Sequence, residues 1–543
     1  MKHNHIFLAI CFAVFMAQPV KSEVSLPDVL TDGMMVQRDA PVCLWGHADP
    51  GERVVAMCGT NKSETTADKN GKWSLKLPQL SSGGPYSITI NNNVIENIIA
   101  GDVFLCSGQS NMELPISRVT DLFAEEVAEY KNSNIRFFQA DKLFDFHAEC
   151  DNVKGKWSCL TPQTARSYSA LCYFFAKKLN EDTGIPVGII NCSWGGTPIE
   201  SWISREFLQN YPMALNKLKL YEDDHYRERI KRLEGEDFAR WGKVLYDSDP
   251  GIQSSTKWYA PEHDDSSWTS VKVPGEYGSA ENSWGSDGLN PINGSHWFRK
   301  TIEVPSHLAG KDAVLRLGCI VDADSVFFNG EFIGTTSYQY PPRIYSVPGN
   351  LVKSGKNQIT VRLISQNGFP HFVSEKPYKF ISGEEEISLE GEWKYSLGTR
   401  MIPGPGMEFY CYVPTVLYNS MIHPLAGLPI SGVVWYQGES NVNSWNQYSS
   451  LLQTLMLNWR NTWNNSDLPF YVVELAGFLH PSDTVGIQAW NEMRKAQAEG
   501  VKKTSNAWLI KNSDLGEWND IHPLDKKTLG VRVAETVINS RNR

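Results

Sequence analysis

Signals for a buried parallel sheet occur in two separate stretches of this 543-residue chain, with a long β-rich stretch between them. In residues 100–240 the runs 103–106 and 187–190 have the unbroken hydrophobicity of strands covered on both faces. Residues 167–180 repeat apolar positions at helical spacing, and 215–240 read as a charged helix. After Arg400 the same texture returns, with strands predicted at 430–436, 470–475 and 507–510 and helices at 447–462, 485–499 and 526–540. One α/β unit interrupted by an insertion accounts for this pattern.

The remaining stretches are β-rich. Residues 23–99 contain short runs such as 42–45, 54–57, 73–77 and 86–90 separated by Gly, Asn and Asp turns, as in a small β-sandwich. Residues 241–400 form a second, larger all-β unit, in which the Asn329-Gly330 step is flanked by β residues and predicts a hairpin. The first 22 residues combine Lys2, an apolar run over 6–17 and small residues before position 23, the pattern of a cleaved secretory signal. The expected location is therefore periplasmic or extracellular. The expected division is 1–22 signal, 23–99 β-sandwich, 100–240 first α/β segment, 241–400 inserted β unit and 401–543 second α/β segment.

A formal net charge of −10, without a basic block, speaks against nucleic acid as a partner, and no later run is long enough for membrane insertion. Cysteines are scattered, with no metal-binding spacing; Cys150 and Cys159 bracket a short loop and could pair in an oxidising compartment. The 18 tryptophans and 21 tyrosines fill cores in the ordinary case, but their flat faces also suit sugar rings.

Chemistry concentrates in four runs. Gly108-Gln109-Ser110-Asn111-Met112-Glu113 follows an apolar strand at a sharp turn, where a serine can serve as nucleophile and its own N–H as an oxyanion donor. Ser193-Trp194-Gly195-Gly196-Thr197 places two glycines where backbone N–H groups stay unobstructed, and Gly196 is a candidate second donor. Trp435-Tyr436-Gln437-Gly438-Glu439-Ser440-Asn441 ends another strand; Gln437 or Asn441 could add a side-chain N–H, and Glu439 could orient its neighbours. Asp520-Ile521-His522-Pro523 offers an imidazole and a carboxylate on one side of an extended segment. Each run taken alone is compatible with a turn, a helix cap or a surface loop. Three such loops at strand C-termini point to a site at the edge of a parallel sheet.

These four runs, in this order, resemble the sialate O-acetylesterases, a branch of the SGNH/GDSL hydrolases. The resemblance implies a flavodoxin-like three-layer α/β/α fold, Ser110 as nucleophile, His522 as base, and Ser110, Gly196 and a residue of 437–441 around the oxyanion. Gln109, Asn111, Trp194 and Glu439 are then candidates to contact substrate. Most SGNH hydrolases place the acid three residues before the histidine, where this chain has Asn519. Asp520 is the best available acid, with Asp514 and Glu439 as alternatives. The β unit resembles the sugar-binding jelly roll of β-galactosidases in Asp264-Asp265-Ser266-Ser267-Trp268, Trp297-Phe298-Arg299-Lys300 and the Asn-Gly hairpin. The implied reaction is removal of O-acetyl groups from a glycan, 9-O-acetylated sialic acid first, without metal or organic cofactor. An esterase of acetylated xylan or another plant polysaccharide shares the scaffold, and an inactive carbohydrate-binding protein is the reading of a different class. A sialate carboxylate calls for an arginine near Ser110, for which Arg118 and Arg166 are candidates.

Overall fold

A computed structural model describes residues 24–275, 284–287 and 290–542. The signal-like residues 1–22 lie outside the described residues. Seven strands form the sheet that carries the site: β1 (Asn93–Gly108), β2 (Asn132–Ala140), β3 (Gly155–Leu160), β4 (Val187–Ser193), β5 (Gly432–Tyr436), β6 (Phe470–Val473) and β7 (Ala507–Ile510). Their order across the sheet is β7-β6-β5-β1-β4-β2-β3, parallel throughout except for β3, which runs antiparallel to β2. A flavodoxin-like order would seat β2 beside β1; here β4 takes that place. Burial accounts for the difference, since every residue of β4 is buried whereas β2 opens with the polar Asn132, Ser133 and Asn134.

Four helices matter for the site: α1 (Ala170–Thr183), α2 (Trp445–Thr462), α3 (Thr484–Lys502) and α4 (Lys526–Arg541). Side chains alternate across strands, so paired strands show which face each helix covers. Phe104 of β1 meets Phe175 of α1, and Tyr471 of β6, on the same face, bonds Ser540 of α4. Trp435 of β5 and Phe470 of β6 point the other way, against Trp459 of α2. The sheet is thus covered on both faces. Helix α1 starts at Ser169, whose hydroxyl accepts from the Cys172 N–H, and stops at Gly184 in a left-handed conformation. Among the described residues, no helix is long and apolar enough to cross a membrane.

β1 is 16 residues long and belongs to two units. Its first half pairs with Gly83–Ile90 and Met35–Gln37 of the N-terminal β unit; its second half is the central strand of the parallel sheet. The 99/100 boundary therefore falls inside a strand, and one hydrophobic core runs through both units. The 240/241 boundary likewise falls inside a helix, Asp224–Ser248. Beyond it, two antiparallel sheets of six and four strands close on a separate core that includes Phe298, Leu315, Val361 and Trp393. The predicted hairpin is present: Asn329 and Gly330 both have positive φ between Ala323–Phe328 and Glu331–Thr336. Asp265 of the opening motif accepts from Arg299 Nε at 2.8 Å, which ties that motif to the Trp-Phe-Arg-Lys strand. Cys150 and Cys159 do not pair; both thiols are free.

At the end of β1 the backbone is crowded. Gly108 has φ +138°, and a Cβ there would come within 2.0 Å of the Tyr436 carbonyl oxygen on β5. Gly108→Ala is expected to combine backbone strain with a steric clash and cost roughly 3 kcal/mol. A urea unfolding midpoint equal to that of the unaltered protein contradicts this account of the turn.

Candidate active site

β1, β4 and β5 are adjacent, so the loops that leave their C-terminal ends must converge. Gln109 N–H donates to the Tyr436 carbonyl at 3.0 Å and Trp194 N–H to the Gly108 carbonyl at 3.1 Å, locking the three exits together. The chain then turns into the short helix Ser110–Glu113, with Ser110 as its first residue. Ser110 Oγ lies 2.8 Å from His522 Nε2, across 412 residues of sequence.

The acid side of the pair is less direct. Asp520 Oδ1 accepts the His522 backbone N–H at 2.8 Å and lies 3.8 Å from His522 Nδ1, beyond hydrogen-bond distance. Nδ1 is buried and has no hydrogen-bond partner among the described residues. The other oxygen, Oδ2, faces Lys376 Nζ at 3.2 Å. The competing acids sit elsewhere. Asp514 is exposed and doubly bonded to Arg532. Glu439 Oε1 accepts from Asn111 Nδ2 at 2.5 Å rather than from the histidine. Asn519 gives its amide to the Ser374 carbonyl.

Two oxyanion candidates are corrected. The Gln437 amide nitrogen donates to the Thr197 carbonyl and to Asn441 Oδ1, so both its hydrogens are used inside a buried network. Asn441 accepts the Ile199 N–H and donates to Glu200 Oε2, and thus braces the glycine loop. The Gly195 N–H is committed to Glu113 Oε2 at 2.7 Å. Gly196 stands in a left-handed conformation where a Cβ would lie 1.8 Å from Tyr412 Oη, so a side chain cannot be accommodated there. Gly195 is close to the nucleophile, since a Cβ on it would meet Ser110 Cβ at 3.4 Å.

Three candidate substrate contacts also prove structural. Gln109 is buried, and its Oε1 accepts from the Gly438 and Ser440 N–H groups. Asn111 donates to Glu439 Oε1 and the Ile521 carbonyl and accepts from Lys526 Nζ at 2.7 Å. Through Asn111 the serine turn is fixed to the histidine loop, and Glu439 serves as one of its anchors. Trp194 differs: it is half-buried, near Phe144 and Lys142, and has a surface to offer a ligand.

Residues 100–234 and 404–539 match the sequence profile of a family described as carbohydrate esterase, sialic acid-specific acetylesterase. The chain belongs to this family. It is 29% identical over 201 residues to a rat sialate O-acetylesterase and 30% identical over 204 residues to the mouse one. Each match takes in 33% of this chain and 37% of the relative, so the chain spans little more than a third of the length of the curated relatives it matches. A crystal structure of a carbohydrate acetylesterase from Xanthomonas citri superposes with a TM-score of 0.54 at 21% identity, covering 94% of this chain and 74% of that one. That likeness shows the fold.

In this family member the inserted β unit, absent from the matched segments, reaches the histidine. The Tyr340 ring stands edge-on to His522, with centroids 5.2 Å apart and planes at 89°. Arg118 Nη2 donates to the Tyr340 carbonyl at 3.3 Å. Lys376 pairs with Asp520 and with Glu517, the latter at 2.9 Å. Sequence reasoning missed Tyr340, Lys376, Tyr412 and Lys526; the last was legible only as a cation four residues after His522. Arg166, offered as a carboxylate ligand, is exposed; its N–H donates to the Thr164 carbonyl and its carbonyl accepts the Ser117 N–H.

Burial, reinforced by the cations Lys526 and Arg118, pushes the His522 pKa down to about 3. Burial lowers Lys526 to about 8, although Glu439 and Asp520 oppose the shift. The imidazole is therefore neutral over the working range of pH, the state a general base requires. An unfolded chain takes up this proton near pH 6.5, the folded chain only near pH 3. Stability from this group is complete above about pH 6.5 and is lost as pH falls toward 3. In an NMR pH titration the His522 ring resonances should stay at their neutral positions well below pH 6; a midpoint near 6.5 contradicts the assignment.

Proposed function

We propose that this protein is a serine esterase that removes O-acetyl groups from sugars, with 9-O-acetylated sialic acid as the first substrate. The 2.8 Å contact between Ser110 Oγ and His522 Nε2 carries the reading, because it joins a nucleophile to a base held neutral. His522 takes the hydroxyl proton as Ser110 attacks the acetyl carbonyl carbon. The negative charge that develops on the carbonyl oxygen is met by the N–H groups of Ser110 and Gly196. His522 then gives its proton to the departing sugar oxygen, and acetyl-Ser110 remains. A water molecule activated by His522 releases acetate. Asp520 is the carboxylate nearest the imidazolium that forms in each half-reaction.

The three converging loops at the C-terminal edge of a parallel sheet support an SGNH-type catalytic unit, with a galactose-binding-like jelly roll inserted in it. Together with the signal-like residues 1–22, the reading places the enzyme outside the cytoplasm. Arg118 favours an anionic sugar: anchored on Tyr340, it keeps a positive charge close to His522. Trp194 suits the apolar face of a sugar ring.

Acetate release by the unaltered protein and by Ser110→Ala, on a 9-O-acetylated sialoside and on acetylated xylan, tests the proposal. The sialoside should be hydrolysed, and the substitution should lower kcat by roughly 10⁵-fold. Hydrolysis of xylan alone replaces the substrate and keeps the mechanism. Failure to release acetate from either substrate, or full activity in the alanine variant, overturns the esterase assignment.

A further inference from the structure

Three consecutive residues of the inserted β unit grip the loop that carries the acid. The Ser374 carbonyl accepts from the Asn519 side chain at 2.7 Å, Glu375 Oε2 from the Trp518 indole N–H at 2.9 Å, and Lys376 Nζ reaches Asp520 Oδ2 and Glu517 Oε2. They lie between the strands His371–Phe372 and Tyr378–Ser382, in a unit with a core of its own. Lys376 and Asp520 are 12% and 9% exposed, which shields their attraction from solvent.

We propose that Lys376 is a positioning residue for the catalytic acid, so that the inserted β unit completes the active site through one ion pair. The inference rests on the esterase reading above. With Oδ1 on the His522 backbone N–H and Oδ2 on Lys376, the carboxylate is held at both ends beside an Nδ1 that has no hydrogen-bond partner among the described residues. Without Lys376, Oδ2 loses its cation partner in a buried site, and the carboxylate turns away. Burial opposes the charge on Lys376, but Asp520 and Glu517 together hold its pKa above the ordinary lysine value, so the cation persists at any working pH. The titratable and charged groups facing Asp520 and His522 are Arg118, Cys319, Tyr340, Lys376, Glu517 and Lys526. Lys376 is the cation among them that bonds the Asp520 carboxylate directly.

The experiment compares the unaltered protein with K376M, K376R and E375A on 4-nitrophenyl acetate, an ester with no sugar to bind, and follows the His522 ring by NMR titration. K376M should lose about ten- to a hundredfold in kcat with KM unchanged, the worth of a hydrogen bond to a charged group. Its His522 titration and the acid limb of kcat should move to lower pH, because an Asp520 carboxylate that has turned away no longer favours the imidazolium. K376R should restore both. E375A loosens the same grip without touching Asp520 and should leave the titration and the acid limb in place. Unaltered kcat and His522 titration in K376M overturn the inference. So does E375A reproducing the whole effect, since docking of the loop then suffices without the charge. The His522 titration needs no turnover, so it decides the point even if no acetyl ester is cleaved. The Ser110→Ala control separately shows whether the esterase reading stands.

Discussion

The site depends on a single constraint, the parallel pairing of β1 with β4 on one side and β5 on the other. Pairing from Asp102 to Gly108 with β4, and from Phe104 to Gly108 with β5, brings three strand ends level. The loops after Gly108, Ser193 and Tyr436 then have nowhere to go but toward one another. β1 can bear this role because its outer half is also stitched into the N-terminal β unit, and the two share one core. The N-terminal unit thereby acts as a brace on the strand that presents Ser110. Loosening that strand would misplace Ser110 relative to a histidine 412 residues away.

Above the strand ends, polar side chains do the work that apolar packing does below. Gln109, Asn111, Gln437, Asn441 and Tyr448 are all buried, and each finds hydrogen-bond partners in a neighbouring loop. A loop has no ladder to satisfy its backbone, so these amides supply the missing partners. Runs rich in Gln, Asn and Glu are what such a network needs. The same runs look like ligand-binding residues when read in sequence, which explains why Gln437 and Asn441 were assigned to the oxyanion and Gln109 and Asn111 to the substrate. The Ser110–His522 pair stands outside this network of amides, joined side chain to side chain at 2.8 Å.

Where information is local, the sequence was readable. Helices α1 to α4 and strands β5 to β7 follow from hydrophobic spacing, and Ser110 and His522 follow from turn residues and motif order. β2 escaped notice because Arg136 sits at its centre. That arginine is buried only because its guanidinium meets the carbonyls of Gly33 and Asn97, partners from another unit that no window around β2 contains. Tyr340 and Lys376 escaped for the same reason, on a larger scale. Lys376 finds Asp520 across 144 residues, from a loop whose own sequence has no periodicity or motif. The place of β4 between β1 and β2 is likewise a global outcome: β4, buried along its whole length, takes the inner slot, and β2, which opens with polar residues, lies outside it.

The Lys376–Asp520 pair also bears on why the insertion stays where it is. A β-sandwich with its own core needs nothing from its host in order to fold, so its docking must come from the interface. That interface is polar: Arg316 with Asp121, Arg118 with the Tyr340 carbonyl, and the 374–376 grip on 517–520. Exposed ion pairs contribute at most about 1 kcal/mol each, and the Arg316–Asp121 pair is of that kind. The pair at Asp520 is the buried one, and it costs more to break than to form, because a lone carboxylate would be stranded beside the histidine. Undocking therefore carries its penalty at Asp520. The geometry around Asp520 and the docking of the insertion are thus tied together through one buried ion pair.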